Sequence, residues 1–118
     1  MQKILLTLVV QNTKFGDEAN LIKAEVLDLL GENCKFISLN EYQKFEDSYM
    51  LDFQIILSDG TKAQTVYEQL RISSLIARPW LIYFNEDDTS ELIFNKTEAS
   101  KFASENFKSV IWGHIQIG

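Results

Sequence analysis

Residues 49–57 alternate. Tyr49, Leu51, Phe53, Ile55 and Leu57 are apolar, and Asp52 and Gln54 stand between them. A period of two puts one row of side chains on each side of a strand, so one face is buried and the other partly wet. A second strand-like run, Cys34–Leu39, comes just before it. The polar segment Asn40–Ser48 joins the two and reads as a loop or a bulged strand end. Neighbouring strands with no helix between them favour antiparallel pairing. They argue against a Rossmann-like parallel sheet, which needs a long crossover.

The rest of the chain is read around that pair. Residues 3–11 are apolar on both sides apart from Thr7, which predicts a strand inside the sheet. A loop at Thr13–Gly16 leads to a helix from Asp17 to Leu30, whose acidic start suits the helix dipole and which Gly31 ends. Ser58-Asp59-Gly60 reads as a turn, and Thr61 with Gln64 as a capping box. The helix it opens runs to Ser73 with Ala63, Val66, Tyr67 and Leu70 as its expected buried stripe. After Arg78-Pro79, strands Trp80–Phe84 and Glu91–Phe94 form a hairpin around the acidic turn Asn85–Ser90. A third helix is expected from Thr97, with Ala99, Phe102, Ala103 and Phe107 on one side, before a last strand, Val110–Ile117. Phe53, Phe84, Phe94, Phe102 and Phe107 are assigned to the core.

The order is β-α-β-β-α-β followed by β-α-β. The expectation is an α+β fold: a ferredoxin-like core with a C-terminal β-α-β extension, helices on one face of a mainly antiparallel sheet. With 118 residues, one proline and five glycines, residues 1–118 are read as a single domain that folds unaided.

Charge narrows the function classes. Seventeen acidic against eleven basic residues give a net charge of -6. That disfavours phosphate backbones and anionic membrane surfaces, and favours a basic protein partner. The apolar stretch Ile4–Val10 is too short to span a bilayer and lacks a small-residue cleavage site, so the expected location is the cytoplasm. The single cysteine, Cys34, closes no intrachain disulfide and is read as a small apolar filler.

The apparatus of catalysis is missing from the pattern. No glycine-rich phosphate loop or nucleophile elbow can be read, and the one histidine, His114, excludes His–His metal sites. No catalytic residues, cofactor or metal are therefore assigned. Two groups are candidates for partner binding instead. Glu86, Asp87 and Asp88, with Glu91 close by, form an acidic knob at the hairpin turn, able to meet a lysine- or arginine-rich surface or a nuclease's phosphate-binding cleft. Trp112 and His114 share the outward face of the last strand with Gln116, a candidate contact patch. A second acidic group, Glu41, Glu46, Asp47 and Asp52, and the aromatics Tyr42, Phe45 and Tyr49 are open to binding or merely surface readings.

In size, acidity, its lone cysteine and its compact α+β plan without catalytic residues, the chain resembles the small immunity proteins of bacterial toxin–immunity systems, such as contact-dependent growth inhibition. The resemblance implies a cytoplasmic inhibitor that binds a basic cognate toxin domain, often a nuclease, and occludes its active site. Two alternatives belong to other classes. One is a ferredoxin-like small-ligand-binding or regulatory domain acting as a homodimer; the other is a small enzyme using His114 with a carboxylate such as Asp52.

Overall fold

The computed structural model describes residues 2–12, 16–58 and 60–118. Thr13, Lys14 and Phe15 of the expected loop, and Asp59 of the expected turn, lie outside the described residues. The elements are β1 (Gln2–Gln11), α1 (Glu18–Leu30), β2 (Cys34–Glu41), β3 (Ser48–Leu57), α2 (Lys62–Ser74), β4 (Ala77–Arg78), β5 (Leu81–Phe84), β6 (Ser90–Asn95), β7 (Lys101–Phe102) and β8 (Val110–Ile117). Six strands form one sheet in the order β2-β3-β1-β8-β6-β5, and β4 pairs with β7 in a separate two-stranded ladder. Every ladder described is antiparallel. The fold is α+β.

Residue alternation along the strands sorts the sheet into two faces. Ile4, Leu6, Leu8 and Val10 of β1 lie in the core with Leu51, Phe53, Ile55, Leu92, Phe94 and Ile115. Both helices pack on this face, α1 through Ala19, Ile22 and Val26 and α2 through Ile72. No helix among the described residues covers the opposite face. Strand β1 lies inside the sheet, as its two-sided apolarity predicts.

Local chemistry fixes the helix ends. Asn12, at the end of β1, accepts the Ala19 amide through Oδ1 at 2.9 Å and so caps α1 from outside the helix. Gly31 follows at φ 71°, ψ -152°, a conformation open to glycine alone. At α2 the Thr61 hydroxyl accepts the Gln64 amide at 3.2 Å, one half of the expected capping box.

Four expectations are corrected. The buried side of α2 is Thr65, Gln69, Ile72 and Ser73. Ala63, Tyr67 and Leu70 are exposed and Val66 is half-buried. The helix can bury this polar side because Gln69 finds partners there: its Nε2 donates to the Ser90 carbonyl at 2.8 Å, and the Ser90 hydroxyl donates to its Oε1. Second, the segment from Thr97 forms no helix. Thr97 and Ser100 bond each other's backbone, with Thr97 N–H to Ser100 Oγ at 2.9 Å and Ser100 N–H to the Thr97 carbonyl at 3.1 Å. These local bonds compete with the helical ladder. The segment continues as β7 and a 3-10 turn at Glu105–Ser109 that drops Phe107 into the core.

Third, Trp80 leaves the strand. Its Nε1 donates to the Ala77 carbonyl at 2.8 Å and its ring lies 5.5 Å from that of Phe94. Gly113 admits the ring, since a Cβ there would stand 2.8 Å from Trp80 Cη2. Strand β5 lies at the sheet's far edge, and the place beside β1 goes to β8. Fourth, Phe84 is not core: it is 71% exposed on that edge strand. Phe53, Phe94 and Phe107 are fully buried, and half-buried Phe102 packs against them.

Candidate partner-binding surface

The β5–β6 hairpin carries the acidic turn. Asn85 donates its amide to the Thr89 carbonyl at 2.9 Å and closes the loop, and Asp88 sits at φ 70°, a left-handed position that aspartate tolerates. Asp87 accepts the Thr89 hydroxyl at 2.6 Å and the Thr89 amide at 3.1 Å. Those bonds, the hydroxyl first, hold its carboxyl below the usual carboxylate range, so it stays ionised. Asp88 forms an ion pair with Lys62 at the start of α2, which offsets part of the turn's charge. Glu86 is exposed.

The register puts the remaining candidates on the uncovered face. His114 stands opposite Thr7 of β1 on one side and Ile93 of β6 on the other. Its Nε2 shares a hydrogen bond with Glu91 Oε1 at 3.0 Å, the two side chains being 19% and 30% exposed. The Trp112 ring lies 5.7 Å from the imidazole. Asn85 joins this group to the turn, its Nδ2 donating to Glu91 Oε2 at 3.2 Å and to Thr89 Oγ1 at 3.1 Å. Asp87, Glu91 and His114 are thus linked through Thr89 and Asn85 into one strip with Trp112 beside the imidazole, while Asp88 pairs with Lys62 of α2 and Glu86 stands exposed at the turn. Sequence reading missed Asn85, the residue that connects it; an Asn at the first position of a turn is so common that it signals nothing.

The histidine's carboxylate is Glu91, not Asp52. Thr7 lies opposite both Asp52 and His114, so a whole strand separates them, roughly 10 Å at the usual strand spacing. Asp52 is held elsewhere: Thr7 Oγ1 donates to it at 2.6 Å and Ser38 Oγ at 3.2 Å. The His114–Glu91 pair lies on open sheet, away from the clefts of about 200–230 Å³ lined around Arg71, Asp88 and Lys101. No group of three His, Cys, Asp or Glu residues among the described ones could hold a metal ion.

The second acidic group is not drawn into the strip. Glu41, Glu46 and Asp47 are exposed where β2 turns into β3, beside Asn12, whose amide donates to the Asp47 carbonyl at 2.7 Å. Asp87 and Asp88 of the turn share a cleft with Gln2 and Ile117, at the other end of the sheet. Tyr42 and Phe45 pack on each other at 5.9 Å with Phe45 half exposed, and Tyr49 packs on the core. Cys34 is buried, and desolvation pushes its thiol up to about 11, so it stays a neutral thiol near neutral pH.

Compared with family models, curated proteins and solved structures, the chain matches none. No helix among the described residues is long and apolar enough to cross a membrane.

Proposed function

We propose that this protein is a binding module of the immunity type, acting in the cytoplasm, which attaches to a basic toxin domain through the strip Glu86–Asp88, Glu91, His114 and Trp112. One observation carries the reading: an exposed acidic turn adjoins a partly exposed tryptophan and histidine on a sheet face that no described helix covers. Charge at the tip steers a basic partner and accelerates encounter. Trp112 supplies the apolar anchor typical of binding hot spots. The strand order β2-β3-β1-β8, with both helices on one face, supports a ferredoxin-like core in which the chain's last strand takes the fourth place.

The test begins by capturing the partner from native extract and then follows association by stopped flow. Converting Glu86, Asp87 and Asp88 to lysine slows association about tenfold or more at low salt, the gap closing as salt screens the charges. Circular dichroism stays unchanged. An unaltered association rate removes the turn from the interface. Trp112→Ala accelerates dissociation instead.

A further inference from the structure

Strand β5 is an open edge. Its four residues, Leu81, Ile82, Tyr83 and Phe84, are 57%, 42%, 47% and 71% exposed and none is polar enough to guard it. The phase of its ladder says which backbone groups are free. Asn85 and Thr89 form a hydrogen-bonded pair, so Tyr83–Glu91 and Leu81–Ile93 are hydrogen-bonded too, two and four steps along the register. Ile82 and Phe84 therefore turn their amides and carbonyls away from β6.

The flanks of this edge carry opposite charge. Arg78 and Lys101 stand directly opposite each other in the β4–β7 ladder, both exposed. Like charges so placed repel, and neither is held in an ion pair among the described residues. Glu86 and Asp87 lie just past the other end of β5. An edge that is basic before the strand, apolar along it and acidic after it is complementary to itself when reversed.

We propose that β5 pairs antiparallel with β5 of a second copy of this chain, about a two-fold axis through Ile82, to give one continuous twelve-stranded sheet. In that register Ile82 meets its counterpart through the free backbone groups, and the end of each β5 runs past the start of the other, where Arg78 lies three residues upstream of Leu81. Each acidic turn thereby meets the other copy's Arg78 and Lys101. A second copy fits better than an unrelated strand because both ends of the edge are satisfied by the same sequence. On the helix side, Lys62 reaches the hairpin through Asp88. The dimer and the toxin complex would both use the acidic turn, so they exclude each other there.

The experiment is sedimentation velocity on the chain alone over a range of concentrations, with no toxin present. Its outcome and that of the toxin-binding reading are therefore independent. The expected result is a monomer–dimer equilibrium. Phe84→Lys, at a position outside the core, puts a charge into the apolar edge and raises the dimer dissociation constant at least about tenfold. Ile37→Lys, on the opposite edge of the sheet, leaves it unchanged. Arg78→Glu and Glu86→Lys each weaken the dimer about three- to tenfold at low salt, and the double variant recovers it. A wild-type chain that is monomeric at every concentration overturns the proposal, as does a dimer that survives Phe84→Lys. Single charge variants that the double variant does not rescue overturn the two-fold register.

Discussion

Strands β2 and β5 close the same sheet at opposite edges, and each leaves a row of backbone groups with no strand beside it. Strand β2 is guarded. Its register slips between Phe36 and Ser38, a bulge that interrupts the edge at Ile37. Lys35, Asn40 and Glu41 are exposed along it, and Lys23 of α1 holds its ammonium 4.0 Å from the centre of the Phe36 ring. Strand β5 has none of these devices: no bulge breaks its ladder with β6, and no charge lies between Leu81 and Phe84. The contrast teaches where an added strand can be accepted. A bulge and a lysine refuse one, and four exposed apolar residues invite one.

Three further experiments probe the contrast between the two edges, in order of decreasing effect. Gln69→Ala strips the polar tie between α2 and β6, leaving the buried hydroxyl and carbonyl of Ser90 without their partner. It should lower the unfolding free energy by about 3 kcal/mol, measured in urea. Amide exchange should quicken in β5 and β6 and stay unchanged in β2. Equal acceleration at both edges would mean that the two halves of the sheet open as one unit.

The second concerns the guarded side, where Cys34 opens β2. Its thiol titrates higher in the folded chain than in the unfolded one. The stability is therefore complete below the unfolded value and is lost as pH rises toward about 11. About two units of difference correspond to a loss of roughly 3 kcal/mol. Lysines and tyrosines titrate nearby, so the measurement is the pH dependence of urea unfolding in wild type minus that in Cys34→Ala. The same slope in both chains removes the thiol as its source. Third and smallest, Lys23→Ala removes the cation over Phe36 and lowers stability by about 0.5–1 kcal/mol. With the bulge in place it leaves the sedimentation of the chain unchanged; new oligomers would show that Lys23 itself guards β2.

Elements set by short-range chemistry were legible in the residues. The two-residue period of Tyr49–Leu57, the Thr61 cap and the run Val110–Ile117 each appear where their pattern puts them. The acidic turn and the outward side of β8 were legible for the same reason, since alternation alone puts Trp112 and His114 on one face. Where polar groups satisfied one another at a distance, the pattern misled. Gln69 is a surface residue by type, yet Ser90 makes it an interior one. Thr97–Ser100 looks helical by spacing, yet its own hydroxyls bond its backbone first.

Short-range pattern was enough to place β1, β2, β3, β6, β8, α1 and α2 and to show the surplus of negative charge. Those follow from backbone sterics, period and composition, which act over a few residues. Only the tertiary structure decided that β8 sits beside β1, that Glu91 is the partner of His114, and that Phe84 is exposed on an edge. Each of these depends on the β1–β8 and β6–β8 ladders and on the place of β5 at the edge, pairings between residues remote in the chain that no local period encodes.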